Sequence, residues 1–105
     1  MNILFDGCVP RALRNFLAGH QVKTAQQMGW GELQNGDLIR AAEVQFDALV
    51  TADKNIRYQQ NVTDRKIAIL VLPTNRWPAL QPMTQQIAAA VNRLKAGEFE
   101  EIELD

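Results

Sequence analysis

Apolar residues along this chain switch repeatedly between two kinds of pattern. The runs "NILF" (2–5), "ALVT" (48–51) and "KIAILVL" (66–72) are continuous and predict strands, "KIAILVL" the strongest of them and "ALVT" one buried on both faces. "HQVKTA" (20–25) predicts a weaker strand. Between these runs the apolar positions recur at helical spacing. Leu13, Phe16 and Leu17 do so in "PRALRNFLAG", with Pro10 near the start and Gly19 as the stop. Leu38, Ile39, Ala42 and Phe46 share a face in "NGDLIRAAEVQF" from about Asn35. Ile87, Val91 and Leu94 do the same in "MTQQIAAAVNRLKAG", which Gly97 ends. "IRYQQ" (56–60) reads as a short helix, "QQMGWGELQNG" as a loop or short helical turn, and "TNRWPALQP" as a proline-bearing connection. The last stretch, "FEEIEL", alternates Ile102 and Leu104 with acids and predicts a final edge strand or an extended arm.

Strand and helix signals thus alternate from end to end. They predict an α/β fold of three layers, a mostly parallel central sheet of four to five strands flanked by helices, with right-handed crossovers. A chain of 105 residues holds one core, so 1–97 is read as the α/β domain and 98–105 as an acidic segment of that same domain. No repeat, low-complexity tract or linker divides it.

Composition narrows the class without naming a function. With 47% hydrophobic and 22% charged residues the chain is ordinary globular protein. No apolar stretch approaches the ~20 residues that span a bilayer, so no membrane role is expected. The start, "MNILFDGCVP", lacks the basic and long apolar regions of a signal peptide. Cys8 is the single cysteine and fits a reducing compartment, so a cytoplasmic location is expected. The net charge of -1 conceals an asymmetry: Glu98, Glu100, Glu101, Glu103 and Asp105 are five of the 12 acids, which leaves 1–97 with 11 basic and seven acidic groups. A modestly basic body can approach a polyanion, although a normally solvated surface with an acidic terminal segment is the default reading.

Three acids then stand out. Asp6 follows the first strand and Asp53 follows the strand at 48–51; if those strands are neighbours, both carboxylates leave the same sheet edge, where ligands bind in such folds. Asp37 lies in the first turn of the intervening helix. That helix is expected to start near the opposite edge unless the loop from Thr24 to Gly36 climbs back. Carboxylates gathered in one cleft repel one another unless a cation neutralises them, and hard oxygen donors suit Mg2+ or Mn2+. Such an ion activates water for attack on a phosphodiester. Each acid also has a structural reading: a turn at Asp6, a helix-dipole partner at Asp37, a cap at Asp53.

The stretches "ILFDGCVP", "AGHQV", "MGWGELQNGDLIRAA" and "LVTADKN" together resemble the short PIN-like proteins of bacteria, relatives of the PIN-domain toxin ribonucleases. The resemblance covers nearly the whole chain. It implies a metal-dependent ribonuclease, the toxin of a toxin-antitoxin pair, with Asp6, Asp37 and Asp53 as catalytic and metal-binding acids, Mg2+ or Mn2+ as cofactor, RNA as substrate and an antitoxin protein as partner. Two positions depart from the pattern. The family usually has Glu after the first Asp, where this chain has Gly7, and a second Asp after the central strand, where it has Asn55. Asn55 still offers a carbonyl oxygen to a metal, without its charge. The alternative is therefore an eroded PIN-like module that binds a protein partner or nucleic acid without cleaving it.

Arg11, Arg14, Lys54 and Arg57 flank the acids and are candidate phosphate contacts, with solvated surface as their default reading. Trp30, between two glycines, is a core or loop plug, a lid, or a stacking platform for a base; Trp77 in "RWP" has the same alternatives. His20 reads as a loop or strand-start residue, Cys8 as a small buried apolar one, and Glu43 and Asp47 as further acids if the helix register brings them round. A receiver-like domain with Asp53 as phosphoacceptor is a third reading, disfavoured because Asp6 is followed by Gly7. The acidic tail could fold onto its own sheet, cover the basic body, or pair with a second subunit in a homodimer.

Overall fold

The continuous apolar runs become the strands of a single parallel sheet. The computed structural model describes residues 1–33, 35–58 and 66–103. Its strands are β1 (Asn2–Phe5), β2 (Gln21–Thr24), β3 (Ala48–Thr51), β4 (Ala68–Val71) and β5 (Phe99–Glu101), arranged β2-β1-β3-β4-β5 with every neighbouring pair parallel. All four residues of β3 and all four of β4 are buried, as the unbroken runs require of a sheet covered on both faces.

Alternation along the strands divides the core in two. Ile3, Phe5, Ala48, Val50, Ala68 and Leu70 point to one face. That face is covered by a 3-10 helix at Arg11–Phe16 and by the helices α2 (Trp77–Leu80) and α3 (Thr84–Arg93). Leu4, Leu49, Ile69 and Val71 point to the other face, covered by α1 (Asn35–Gln45) through Leu38, Ile39 and Ala42. Each fully buried aliphatic side chain contributes about 1.5–3 kcal/mol. The result is the expected three-layer α/β fold, with all five strands parallel.

Several elements differ in form from the sequence pattern. The first helix is a single 3-10 segment, Arg11–Phe16, capped by Leu17, and Gly19, at φ +86°, turns the chain toward β2. The connection "TNRWPALQP" contains α2 and a 3-10 turn at Gln81–Met83, because Pro78 and Pro82 fall at first-turn positions where a missing N–H costs nothing. A 3-10 turn at Lys54–Tyr58 replaces the helix expected over 56–60, whose last two residues lie outside the described ones. The acidic tail folds onto its own sheet. Phe99–Glu101 pairs with β4, Ile102 is buried in the core, and Glu100 takes a two-pronged ion pair from Arg93 on α3; Leu104 and Asp105 lie outside the described residues.

The direction of α1 overturns one expectation. The Asp47 amide, two residues past the helix, donates to the carbonyl of Asn2 at the start of β1 (2.7 Å), so α1 ends at the amino edge of the sheet. Eleven residues at ~1.5 Å each carry its start back toward the carboxyl edge. A helix joining two parallel strands must run against them, and Asp37 accordingly begins on the same edge as Asp6 and Asp53 without any climbing loop.

Candidate functional site

In the order β2-β1-β3-β4-β5 the chain reverses its direction of travel across the sheet between β1 and β3, and a crevice opens beyond the carboxyl ends of strands at such a switch point. The residues leaving those two strands are Asp6 and, after Thr51 and Ala52, Asp53. Phe5 is in register with Val50, so one further step sets Asp6 beside Thr51 on the same face.

The contacts follow from that register. The Thr51 hydroxyl donates to Asp6 Oδ2 (2.8 Å) and accepts from the Asp53 amide (3.1 Å), so one buried hydroxyl stands between the two acidic residues. The Gly7 amide donates to Asp6 Oδ1 (2.6 Å). Both oxygens of Asp6 thus have a fixed direction while the residue stays half-exposed. Asp53 caps the turn that follows it: its Oδ1 accepts from the Asn55 amide (2.9 Å) and its carbonyl from the Ile56 amide (3.2 Å). The cap leaves Asp53 at the crevice, with exposed Lys54 and Asn55 beside it.

Cys8 completes the cluster. Its Sγ lies 3.8 Å from both Asp6 Oδ2 and Thr51 Oγ1 and accepts from the Ala52 amide (3.4 Å). Burial pushes the thiol's pKa above its ordinary value and the Asp6 carboxylate adds to the rise, against the opposing Ala52 and Thr51 hydrogen bonds. Cys8 is therefore a neutral packing and hydrogen-bonding group, not a ready nucleophile.

Asp37 is less engaged with this cluster. It is exposed on the first turn of α1 and forms an ion pair with Arg40, one turn along. Among the described residues no group of three His, Cys, Asp or Glu side chains is close enough to hold a metal ion. Glu43 lies farther along α1, and Asp47 is at the amino edge, where its Oδ2 accepts from the Asn2 amide (2.8 Å). His20 is also at that edge, between the Met1 amine (3.1 Å) and Asn92 Oδ1 (2.7 Å), in the structural role expected of it.

Beside Asp6 opens a cleft of about 490 Å³, bordered by Gly7, Cys8, Arg11, Gln26, Asn75 and Trp77. Arg11 therefore reaches the site, whereas Arg14 is exposed one 3-10 turn along and the Arg57 side chain lies outside the described residues. Trp30 packs edge-on against Phe46 (6.1 Å, 79°) at the border of the core beneath α1, which is its packing role. Trp77 borders the cleft instead, its ring tilted against Phe16 (5.8 Å, 40°). Thr51 could have been found by extending the strand register by one residue. Gln26 and Asn75 carry no signal in the sequence, because loop packing alone brings them to the cleft.

Fold and site together define a doubly wound parallel α/β protein with Asp6 and Asp53 at its switch point, linked through the Thr51 hydroxyl. Compared with protein-family models, with curated proteins and with solved structures, the chain finds no match. No helix among the described residues is long and apolar enough to cross a membrane.

Proposed function

We propose that this protein is a PIN-like, Mg2+- or Mn2+-dependent ribonuclease whose ion is held between Asp6 and Asp53. The observation that carries the reading is the bridge of Thr51 between Asp6 Oδ2 and the Asp53 amide at the switch point. The donor set fits the ion. It offers the carboxylates of Asp6 and Asp53, with exposed Asn55 two residues past Asp53, all hard oxygens, and Mg2+ typically takes one or two carboxylates together with waters and substrate phosphate. When bound, such an ion makes water more acidic and offsets charge gathering on the phosphodiester. The chain's own residues set the geometry. Gly7 and Thr51 orient the Asp6 oxygens, the capped turn fixes Asp53, and Arg11 and Lys54 offer cations to the flanking phosphates.

Asp37 joins this site by leaving Arg40. An exposed ion pair of this kind contributes at most about 1 kcal/mol, which a divalent ion's field exceeds. A toxin's role in the cytoplasm, opposed by an antitoxin protein, belongs to the same proposal. The second reading, a module that binds nucleic acid or a protein without cleaving, is favoured by Gly7 and Asn55 and by the Asp37–Arg40 pair.

Cleavage of labelled single-stranded RNA with Mn2+ separates the two. The first reading expects metal-dependent cleavage that falls about a hundredfold or more in Asp6→Asn and in Asp53→Asn. Absence of cleavage by the parent chain, or equal cleavage by all three proteins, refutes it.

A further inference from the structure

The cleft beside Asp6 joins Arg11 to three side chains that the carboxylate site does not use. Its border carries one aromatic ring (Trp77), two amides (Gln26 and Asn75) and one guanidinium (Arg11), around a volume of about 490 Å³, within the range of small-ligand sites. We propose that this cleft is a nucleobase subsite: Trp77 stacks the base, Gln26 and Asn75 read its hydrogen-bonding edge, and Arg11 holds the adjoining phosphate. The inference rests on the nuclease reading only for its orientation, which sets the phosphodiester next to the bound base over Asp6.

Each assignment follows from chemistry and position. Any base offers a π face to an indole, and unpaired bases expose their Watson–Crick edges to side-chain amides, which both donate and accept. Half-buried Trp77 is held against Phe16 and the core, so its ring is already oriented and little freedom is lost when a base stacks. The guanidinium forks toward a phosphate in the way a lysine cannot.

Gly7 acquires a purpose here. A Cβ at position 7 would lie 3.0 Å from Nε2 of Gln26, so that amide would have to give way by a few tenths of an ångström. The position at which the PIN-like pattern has a further acid is, in this chain, the floor on which a base-reading amide rests.

The test is binding of fluorescein-labelled hexanucleotides of adenylate, cytidylate and uridylate, as RNA and as DNA, to the full chain in EDTA by fluorescence anisotropy. Removing metal separates binding from cleavage. Trp77→Ala is expected to weaken the preferred oligomer between about fivefold and a hundredfold, with Trp77→Phe largely restoring it. Gln26→Ala and Asn75→Ala, both at exposed positions, are expected to shift the order of preference among the bases, and Gly7→Val to act like Gln26→Ala. Base-dependent binding that responds to these variants supports the subsite even if the chain cleaves nothing. The inference is overturned if no oligomer binds, or if affinity and base preference are the same in Gln26→Ala, Asn75→Ala and Trp77→Phe as in the parent, whatever the cleavage activity.

Discussion

Replacing Thr51 by Val tests whether the hydroxyl between the two aspartates organises the carboxyl edge. Valine keeps the branched shape and the volume, so no cavity forms and the strand conformation is retained. What is lost is the hydrogen bond to Asp6 Oδ2 (2.8 Å) and the acceptor for the Asp53 amide (3.1 Å). A hydrogen bond to a charged group contributes about 1.5–3 kcal/mol and an orphaned amide costs ~1–3 kcal/mol. Asp6 and Asp53 are both half-exposed, so water replaces part of each interaction, and the expected net loss is about 2–3 kcal/mol. For a domain of this size that lowers the thermal midpoint by roughly 8–15 °C. Thr51→Ser keeps the hydroxyl and loses one buried methyl, at about 1 kcal/mol. Urea unfolding followed by circular dichroism, with an unchanged m-value, reads both variants. The serine protein should be the more stable of the two. A valine variant equal to the parent, or more stable than serine, would refute the reasoning, because apolar burial alone predicts that opposite order.

Other expectations concern the tail, the thiol and the departures from the PIN-like pattern. Ile102→Ala should cost about 2–4 kcal/mol in urea unfolding, since Ile102 is 4% exposed and its amide bonds to the Val71 carbonyl (2.8 Å); a cost below ~0.5 kcal/mol would mean that the tail is not part of the core. Cys8 in the folded chain should react slowly with iodoacetamide near pH 8 and rapidly once unfolded. Its folded pKa lies above the ordinary 9.0, so the thiol's contribution to stability is full below that pH and is lost as pH rises beyond it. Stability in Cys8→Ser that falls with alkaline pH as steeply as in the parent would contradict this. Asn55→Asp should tighten Mn2+ binding by about tenfold by adding a charged oxygen beside Asp53, as calorimetry would show. An unchanged affinity would remove position 55 from the site.

Much of the fold was legible because burial leaves simple marks. The continuous runs at 48–51 and 66–72 read as strands and are buried ones, and Leu38, Ile39 and Ala42 are buried along one side of α1, with Phe46 buried just past its end. Helix type was less legible. The segment after Pro10 has apolar positions compatible with either an α or a 3-10 turn, and tertiary contact with the sheet decides between them. The start of α1 falls at the opposite edge only if the helix is taken to run along the strands, which chain direction alone forbids. Within the site, Asp6 and Asp53 were visible as polar interruptions after apolar runs. Nothing in the sequence separates the alternatives for Trp77, whose connection after β4 leaves from the same carboxyl edge as the connection after β1. Side-chain pairing such as Asp37 with Arg40 depends on rotamers that no spacing rule fixes.

Whether Asp6 and Asp53 form one ion site is measured most plainly by direct Mn2+ binding. Titration of the parent chain, followed by the electron paramagnetic resonance signal of free Mn2+, should show saturable binding. Asp6→Asn and Asp53→Asn should each weaken it by more than about tenfold, with Asp37→Asn having the smaller effect. A parent chain that leaves the free Mn2+ signal unchanged, or variants that bind Mn2+ as the parent does, would mean that Asp6 and Asp53 do not share an ion.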